Sequence, residues 1–308
     1  MRIVFFGTPE FAVPSLEALI DLRESVVLVV TQPDRPRGRS RSNLEPSPVK
    51  ARAESLVIPV SQPIRPRGDE FQAELAAAKP DLGVVVAYGH ILRPEILAIP
   101  PLGMINVHAS LLPAWRGAAP IQWSIAHGDR TTGVTIMRME AGLDSGPVLL
   151  THDTPIGPDE TGGQLTQRLA RLGAKALREA IERIRSGTAT FTPQDHARAT
   201  LAPKIGREVA RLDWNLPADA VANRIRAFDP APGAWSTLGN QEVKFFRPRP
   251  VAGEGAPGTI LAAGGGALVV AAGSGAVDVG EVKPAGRGRM KAAEWLRGNP
   301  AAPGSRFR

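Results

Sequence analysis

Five short apolar runs, separated by helical patterns, constrain the fold of this chain more than any other feature. They occupy residues 3–6, 26–31, 82–87, 104–108 and 133–139. The runs at 26–31 and 82–87 are apolar almost without interruption, as in a strand covered on both faces. Between the first two runs, Phe11, Leu16, Leu19 and Ile20 supply one apolar helix face, and 71–78 reads as a further helix. Strands alternating with helices predict right-handed βαβ connections and a mostly parallel α/β sheet. Residues 164–185 form the plainest helical pattern, with Leu165, Leu169, Leu172, Ala176, Ala180 and Ile184 at three- and four-residue steps. Thr161 is placed to cap its start and Gly187 to end it.

The texture changes further on. Residues 189–206 contain proline, lack a period and read as a linker. A helix is expected over 219–228. Short strand-like pieces follow at 243–246, 259–261, 267–271 and 276–279, broken by Gly and Pro. Short strands with frequent turns predict a small C-terminal β-barrel. Two domains are therefore expected, 1–188 and 207–308, joined by that linker.

The net charge is +7, from 37 Lys+Arg against 30 Asp+Glu. Most of these cations are arginines in a chain rich in Ala, Gly and Pro, so the total says less than the distribution. Residues 206–308 carry +5. Residues 35–52 alone also carry +5, which leaves the rest of the first domain slightly acidic. There is no cysteine, which excludes disulfides and any Cys-ligated metal. No apolar run approaches the ~20 residues of a membrane span. No secretory leader pattern opens the sequence. A soluble cytoplasmic protein is expected.

Chemistry concentrates where the fourth strand run ends. Asn106, His108 and Ser110 recur at every second position, and in extended chain they point the same way. Histidine exchanges protons near neutral pH, and an asparagine amide can donate to a developing oxyanion. A polar strand end with hydrogen-bonded Asn and His fits the spacing equally well. Asp144 lies in a glycine-flanked loop after the fifth run, where a carboxylate beside His108 would stabilise its imidazolium form. Read alone, that loop is also an ordinary Asx-turn. Gly7-Thr8-Pro9 follows the first strand, where open α/β sheets bind ligands, but it lacks the glycine spacing of a dinucleotide site. The five histidines (90, 108, 127, 152 and 196) show no metal-ligand spacing. His90, at another strand end, suits packing or solvation better than the site.

Asn106-x-His108, then Ser110-Leu111-Leu112-Pro113-x-x-Arg116-Gly117, then Asp144, resembles the 10-formyltetrahydrofolate-dependent formyltransferase family. Further segments resemble its branch that acts on charged initiator tRNA: 6–9, 31–36, 46–50, 86–89, 116–122, 132–136, 210–214, 225–228, 256–260 and 283–286. The resemblance spans residues 2 to about 296. It implies a Rossmann-like sheet with helices on both faces, followed by an OB-like barrel. It implies 10-formyltetrahydrofolate as co-substrate, initiator Met-tRNA as acceptor, no metal, and a monomer. His108 and Asp144 would assist proton transfer from the methionine α-amine, and Asn106 would stabilise the oxyanion. Ser110, Leu111, Leu112 and Pro113 would contribute to the folate site. Arg37, Arg39 and Arg41 would reach the acceptor end of the tRNA, in keeping with the local +5, and the basic second domain would bind its backbone. Two positions depart from the family pattern. Ala109 follows the histidine where glycine is usual, and Ser40 follows Arg39 where glycine is typical.

Three other readings share parts of this pattern. A purine-pathway formyltransferase shares the Asn-x-His and Asp set but lacks a second domain. A formyltransferase for the amine of a sugar nucleotide keeps the two-part layout without a reason for the arginine loop. A non-catalytic RNA-binding protein on the same fold would not need Asn106, His108 and Asp144 together.

Overall fold

The computed structural model describes residues 1–37, 43–264, 267–299 and 301–308. By internal contacts the chain divides into two units. Met1–Pro120, Thr132–Thr154 and Thr166–Ala202 make up the first, and Ile121–Thr131, Pro155–Leu165 and Pro203–Arg308 the second.

Elements through residue 202 run β1 (Arg2–Gly7), α1 (Val13–Asp21), β2 (Ser25–Val30), β3 (Arg35–Arg37), β4 (Asn43–Glu45), α2 (Pro48–Ser55), β5 (Val60–Ser61), α3 (Asp69–Ala77), β6 (Leu82–Val86), α4 (Pro94–Leu97), β7 (Met104–His108), β8 (Arg116–Gly117), α5 (Pro120–Ala126), β9 (Thr131–Arg138), β10 (Val148–Pro155), α6 (Gly162–Arg185) and β11 (Leu201–Ala202). The main sheet has the order β10-β9-β7-β6-β1-β2-β5. The β1–β2, β1–β6, β2–β5 and β6–β7 pairs are parallel. The 133–139 run forms β9 but pairs antiparallel with β7. A parallel partner would have needed a full crossover, and the chain returns to β7 from the opposite direction instead.

Every residue of β6 is buried, as its unbroken apolar run requires. Register assigns the two faces. Phe6, Val85 and Asn106 align across β1, β6 and β7, so they share a face. That face packs Phe6, Val85 and Met104 with Phe71 and Leu75 of α3 and with Ile96. On the other face Gly173 of α6 approaches Val107 so closely that a Cβ there would lie 2.9 Å from its methyl group. Helices thus cover both faces.

Helix α6 starts where the sequence places its cap. Thr161 Oγ1 accepts from the Gln164 N–H at 3.2 Å, and Gln164 Oε1 accepts from the Thr161 N–H at 3.0 Å. Two otherwise orphaned donors are satisfied reciprocally. Gly187, at φ +72°, ends the helix.

Segment 189–202 is not free chain. It belongs to the first unit. Thr192 bridges to Val148, and β11 pairs in parallel with β8. Its pinning is invisible in the sequence because isolated bridges and two-residue strands carry no period.

The second unit contains α7 (Ala218–Ala227), β12 (Ala234–Leu238), β13 (Gln241–Val251), β14 (Ile260–Gly264), β15 (Ala267–Ala271), β16 (Ala276–Pro284), β17 (Met290–Lys291) and α8 (Ala292–Gly298). Strands β13 and β16 exceed their expected lengths, since Pro248 and Pro250 continue the β13 ladder opposite Val279 and Val277. A proline is tolerated in a strand wherever its nitrogen faces away from the ladder. The sheet order is β12-β13-β16-β15-β14, with β17 on β16. The expected barrel differs from this antiparallel sheet, because among the described residues no strand pairing joins β14 to β12. The C-terminal tail bridges both edges instead: Phe307 pairs with Leu238, and Arg306 with Thr259. The tail is fastened by a ring cluster. Phe307 is 1% exposed. Its ring centroid lies 5.0 Å from Phe245, 6.1 Å from Trp214 and 6.4 Å from Trp295.

Replacing Phe307 by Ala should therefore destabilise the second unit by about 3–5 kcal/mol, the usual cost of emptying a buried ring site. Denaturant unfolding of the full chain followed by tryptophan fluorescence tests this, and a change below 1 kcal/mol would show that the tail is not structurally required.

Candidate active site

The main sheet reverses its winding between β1 and β6: the chain first builds outward through β2 and β5, then returns to the other side of β1. Such a switch leaves a crevice at the carboxyl ends of the strands. Three strand ends meet there. β1 ends in Gly7-Thr8, β6 runs into Ala87-Tyr88, and β7 ends at His108. Thr8 Oγ1 and Gln32 Nε2 both donate to the Tyr88 carbonyl oxygen, at 3.2 and 2.8 Å.

Asn106 and His108 lie two residues apart in β7 and so share a face. Asn106 is half-buried. The His108 side chain is only 5% exposed. Its Nε2 lies 3.0 Å from the Trp115 carbonyl oxygen. A carbonyl only accepts, so this contact assigns the ring hydrogen to Nε2 and leaves Nδ1 as the basic nitrogen. Nδ1 faces Asp144 Oδ2 at 3.7 Å. Burial pushes the imidazole pKa below its ordinary 6.5; the Asp144 charge and the Trp115 hydrogen bond oppose that shift, and the nearby Arg116 reinforces it. A neutral base results, facing a group that stabilises it once it takes up a proton.

The turn after β7 is held from within. Ser110 lies beyond the strand, fully buried, and its hydroxyl donates to the Ala114 carbonyl oxygen at 2.6 Å. The two-residue alternation of the strand thus stops at His108. Thr135 of β9 donates to the Ser110 carbonyl oxygen at 2.7 Å and accepts from the Leu112 N–H at 3.1 Å. Leu112 is nearly buried, while Leu111 and Pro113 are half-buried. Ala109 is 8% exposed, so the methyl group in place of the family's glycine is accommodated within this turn.

Asp144 occupies the left-handed region at φ +46°, which an aspartate tolerates better than most side chains. Its Oδ2 accepts from the Gly117 N–H at 2.8 Å. Gly117 itself sits at φ +122°, and a Cβ there would lie 2.8 Å from the Ala202 carbonyl oxygen. Only glycine brings this N–H to the carboxylate while β8 stays paired with β11. From the supposed linker comes Gln194, only 8% exposed, which donates to the carbonyl oxygens of Asp144 and Gly146 at 2.9 and 2.7 Å. Sequence reasoning missed Gln194, because a lone glutamine in an aperiodic segment gives no signal. It also missed Thr135, which reads as one more strand residue.

The other expected residues stand apart or outside. His90 is exposed and its ring lies 5.4 Å from that of Tyr88. Arg37 lies in the β3–β4 hairpin. Arg39, Ser40 and Arg41 lie outside the described residues. Among the described residues no group of three or more His, Asp or Glu is gathered for a metal, and no helix is long and apolar enough to cross a membrane.

The lowered imidazole pKa has a sign that can be tested. Between the ordinary value of 6.5 and its folded value, His108 binds fewer protons in the folded than in the unfolded chain. Its contribution to stability is complete above the unfolded value and is lost as pH falls through the folded one. Unfolding free energy should therefore decline below about pH 6.5, and His108→Gln should flatten that slope. An imidazole that titrates above 6.5 by NMR would contradict the assignment.

The family model "Formyl transferase" matches residues 1–181, and "Formyl transferase, C-terminal domain" matches residues 204–300. Methionyl-tRNA formyltransferase of Aromatoleum aromaticum is 48% identical over 307 residues, covering 100% of this chain and 97% of the relative. The protein of the same name from Myxococcus xanthus is 48% identical over 304 residues, 99% of this chain and 97% of the relative. Among solved structures, methionyl-tRNA formyltransferase from Clostridium thermocellum aligns with a TM-score of 0.56 at 14% identity, covering 81% of this chain and 93% of that one. A Helicobacter canadensis N-formyltransferase bound to folinic acid and dTDP-3-aminofucose aligns at 0.69 and 17% identity, covering 91% and 98%. HypX from Aquifex aeolicus in complex with tetrahydrofolic acid aligns at 0.62 and 22% identity, over 96% of this chain and 47% of that one. These structural likenesses speak to the fold; the match over 1–181 and the full-length relatives near one-half identity establish that the chain belongs to the formyl transferase family.

Proposed function

We propose that this chain transfers the formyl group of 10-formyltetrahydrofolate to the α-amino group of methionine on initiator Met-tRNA. The observation that carries this over any other acceptor is the 48% identity, end to end, with relatives named methionyl-tRNA formyltransferase.

The residues supply a consistent chemistry. The α-amine adds to the formyl carbon, and negative charge collects on the formyl oxygen. The half-buried Asn106 amide is the donor for that oxygen. Nδ1 of neutral His108 takes the proton that the nitrogen sheds as the new C–N bond forms. The imidazolium then faces Asp144, whose charge stabilises it. Collapse of the tetrahedral species breaks the bond to the folate nitrogen, which leaves with a proton returned from His108. Ser110, Leu111, Leu112 and Pro113 border the folate. Residues 1–188 carry the chemistry, while 207–308, with their +5 charge, neutralise tRNA phosphates. Arg37, Arg39 and Arg41 reach the acceptor end. The chain works in the cytoplasm as a monomer.

His108→Ala should lower turnover by about 10²–10⁴-fold while Met-tRNA binding stays near wild type. The assay supplies 10-formyltetrahydrofolate with Met-tRNA, a UDP-amino-sugar or glycinamide ribonucleotide; preference for either small acceptor would overturn the reading. Arg39→Ala should weaken use of Met-tRNA more than folate binding and reduce the slope of log affinity against log salt by about 0.7–0.9, the share of one phosphate contact. Unchanged affinity across salt would remove Arg39 from the interface.

A further inference from the structure

Gln194 is a side chain with four hydrogen-bonding positions, nine-tenths buried in a segment without regular structure. All of its hydrogen bonds converge on the Asp144 loop and on one buried cation. Its amide nitrogen donates to the carbonyl oxygens of Asp144 and Gly146, at 2.9 and 2.7 Å. Its amide oxygen accepts from Nε and Nη2 of Arg116, at 3.2 and 2.6 Å. Arg116 is 8% exposed, forms no ion pair with a carboxylate among the described residues, and also donates to His196 Nδ1 at 3.0 Å. A buried guanidinium without a counter-ion is costly unless its donors are satisfied, and a neutral amide satisfies two of them without adding charge.

The next residue after Arg116 is Gly117, whose N–H holds the Asp144 carboxylate. Asp144 is therefore gripped from two directions. Gly117 holds its carboxylate, and Gln194 holds its backbone, in the left-handed conformation at φ +46°. Residues kept in that region need a surrounding structure that over-determines them. Without the Gln194 donors the Asp144 carbonyl oxygen loses this hydrogen bond, and the Gly117 N–H is left to hold the carboxylate against Nδ1 of His108.

We infer that Gln194 is a positioning residue for the reaction: its amide N–H groups set the Asp144 loop, while its amide oxygen separately supports Arg116. This rests on the proposed part played by Asp144. The two ends of one amide thus carry two separable tasks, and substitution can divide them.

Two variants of the full chain make the division. Gln194→Glu keeps an acceptor oxygen for Arg116 but puts a second acceptor, not a donor, against the carbonyls of residues 144 and 146. Gln194→Met keeps the length and supplies neither. Both should lower kcat by on the order of 10²-fold, the scale of a catalytic group displaced by about 1 Å, with KM for 10-formyltetrahydrofolate and for Met-tRNA near wild type. Thermal unfolding should separate them: Gln194→Glu, which still pairs with Arg116, above Gln194→Met, which does not. Turnover would then follow the donors and stability the acceptor. If Gln194→Glu keeps wild-type kcat, or if kcat merely tracks the unfolding midpoint across the two variants, Gln194 is structural only and the inference fails. Asp144→Asn is the reference. If Asp144→Asn turns over normally, the part proposed for Asp144 fails, and the inference with it. If Asp144→Asn is impaired while Gln194→Glu is not, the inference alone fails. The double variant Asp144→Asn with Gln194→Glu should be little worse than Asp144→Asn, since both changes act through one group; fully multiplicative losses would count against a shared route.

Discussion

Burial of one imidazole is the constraint on which the rest of the site depends. His108 ends a strand inside a sheet covered on both faces, so its ring has almost no access to water. In that setting the charged form is penalised, and the ring stays neutral and basic at neutral pH. A buried base is useful only if its protonated form can exist for a moment. Asp144 Oδ2, at 3.7 Å, is the charge that favours the protonated ring, and hydrogen bonds hold the Asp144 loop in place. The Gly117 N–H, the β8–β11 pairing that shapes Gly117, and the Gln194 amide belong to the same arrangement.

The arrangement links distant parts of the sequence through short, specific contacts. β7 supplies Asn106 and His108, the turn after it supplies Trp115 and Gly117, and the loop after β9 supplies Asp144. Segment 189–202 supplies Gln194 and Thr200, the latter accepting from the Trp115 N–H at 2.9 Å. Trp115 therefore offers its carbonyl to His108 while its own N–H is engaged. Polar groups in such a buried network are costly when unpaired, so each contact helps to select one geometry.

The second unit relies on different physics. Its sheet is antiparallel and its edges are bridged by the last residues of the chain, seated by Phe307 among three aromatic rings. Edge strands left open invite unwanted pairing, and a tail that occupies both edges removes that risk. Proline within β13 was readable as a breaker, yet the strand continues through it, because strand pairing is decided by which way each nitrogen faces.

The sequence by itself determined the strands and helices that carry long periods. Residues 26–31 and 82–87 read as buried strands because apolar burial on two faces leaves a continuous run. Residues 164–185 read as a helix because one side repeats every three to four positions, and Thr161 and Gln164 announce its start. Asn106 and His108 were legible as neighbours, since the two-residue period of a strand puts them on one face. The sequence also carried the family motifs, and its match to the formyl transferase family over residues 1–181 agrees with them. Only tertiary structure decided that Asp144 faces His108, that Ser110 turns inward rather than toward its neighbours in the motif, and that Gln194 grips the loop between them. It also decided that the C-terminal tail bridges the edges of the second sheet. The physical reason is common to all four. Periodicity records burial along one element, whereas these contacts join residues far apart in sequence through single hydrogen bonds or one ring, and a single contact leaves no repeating trace.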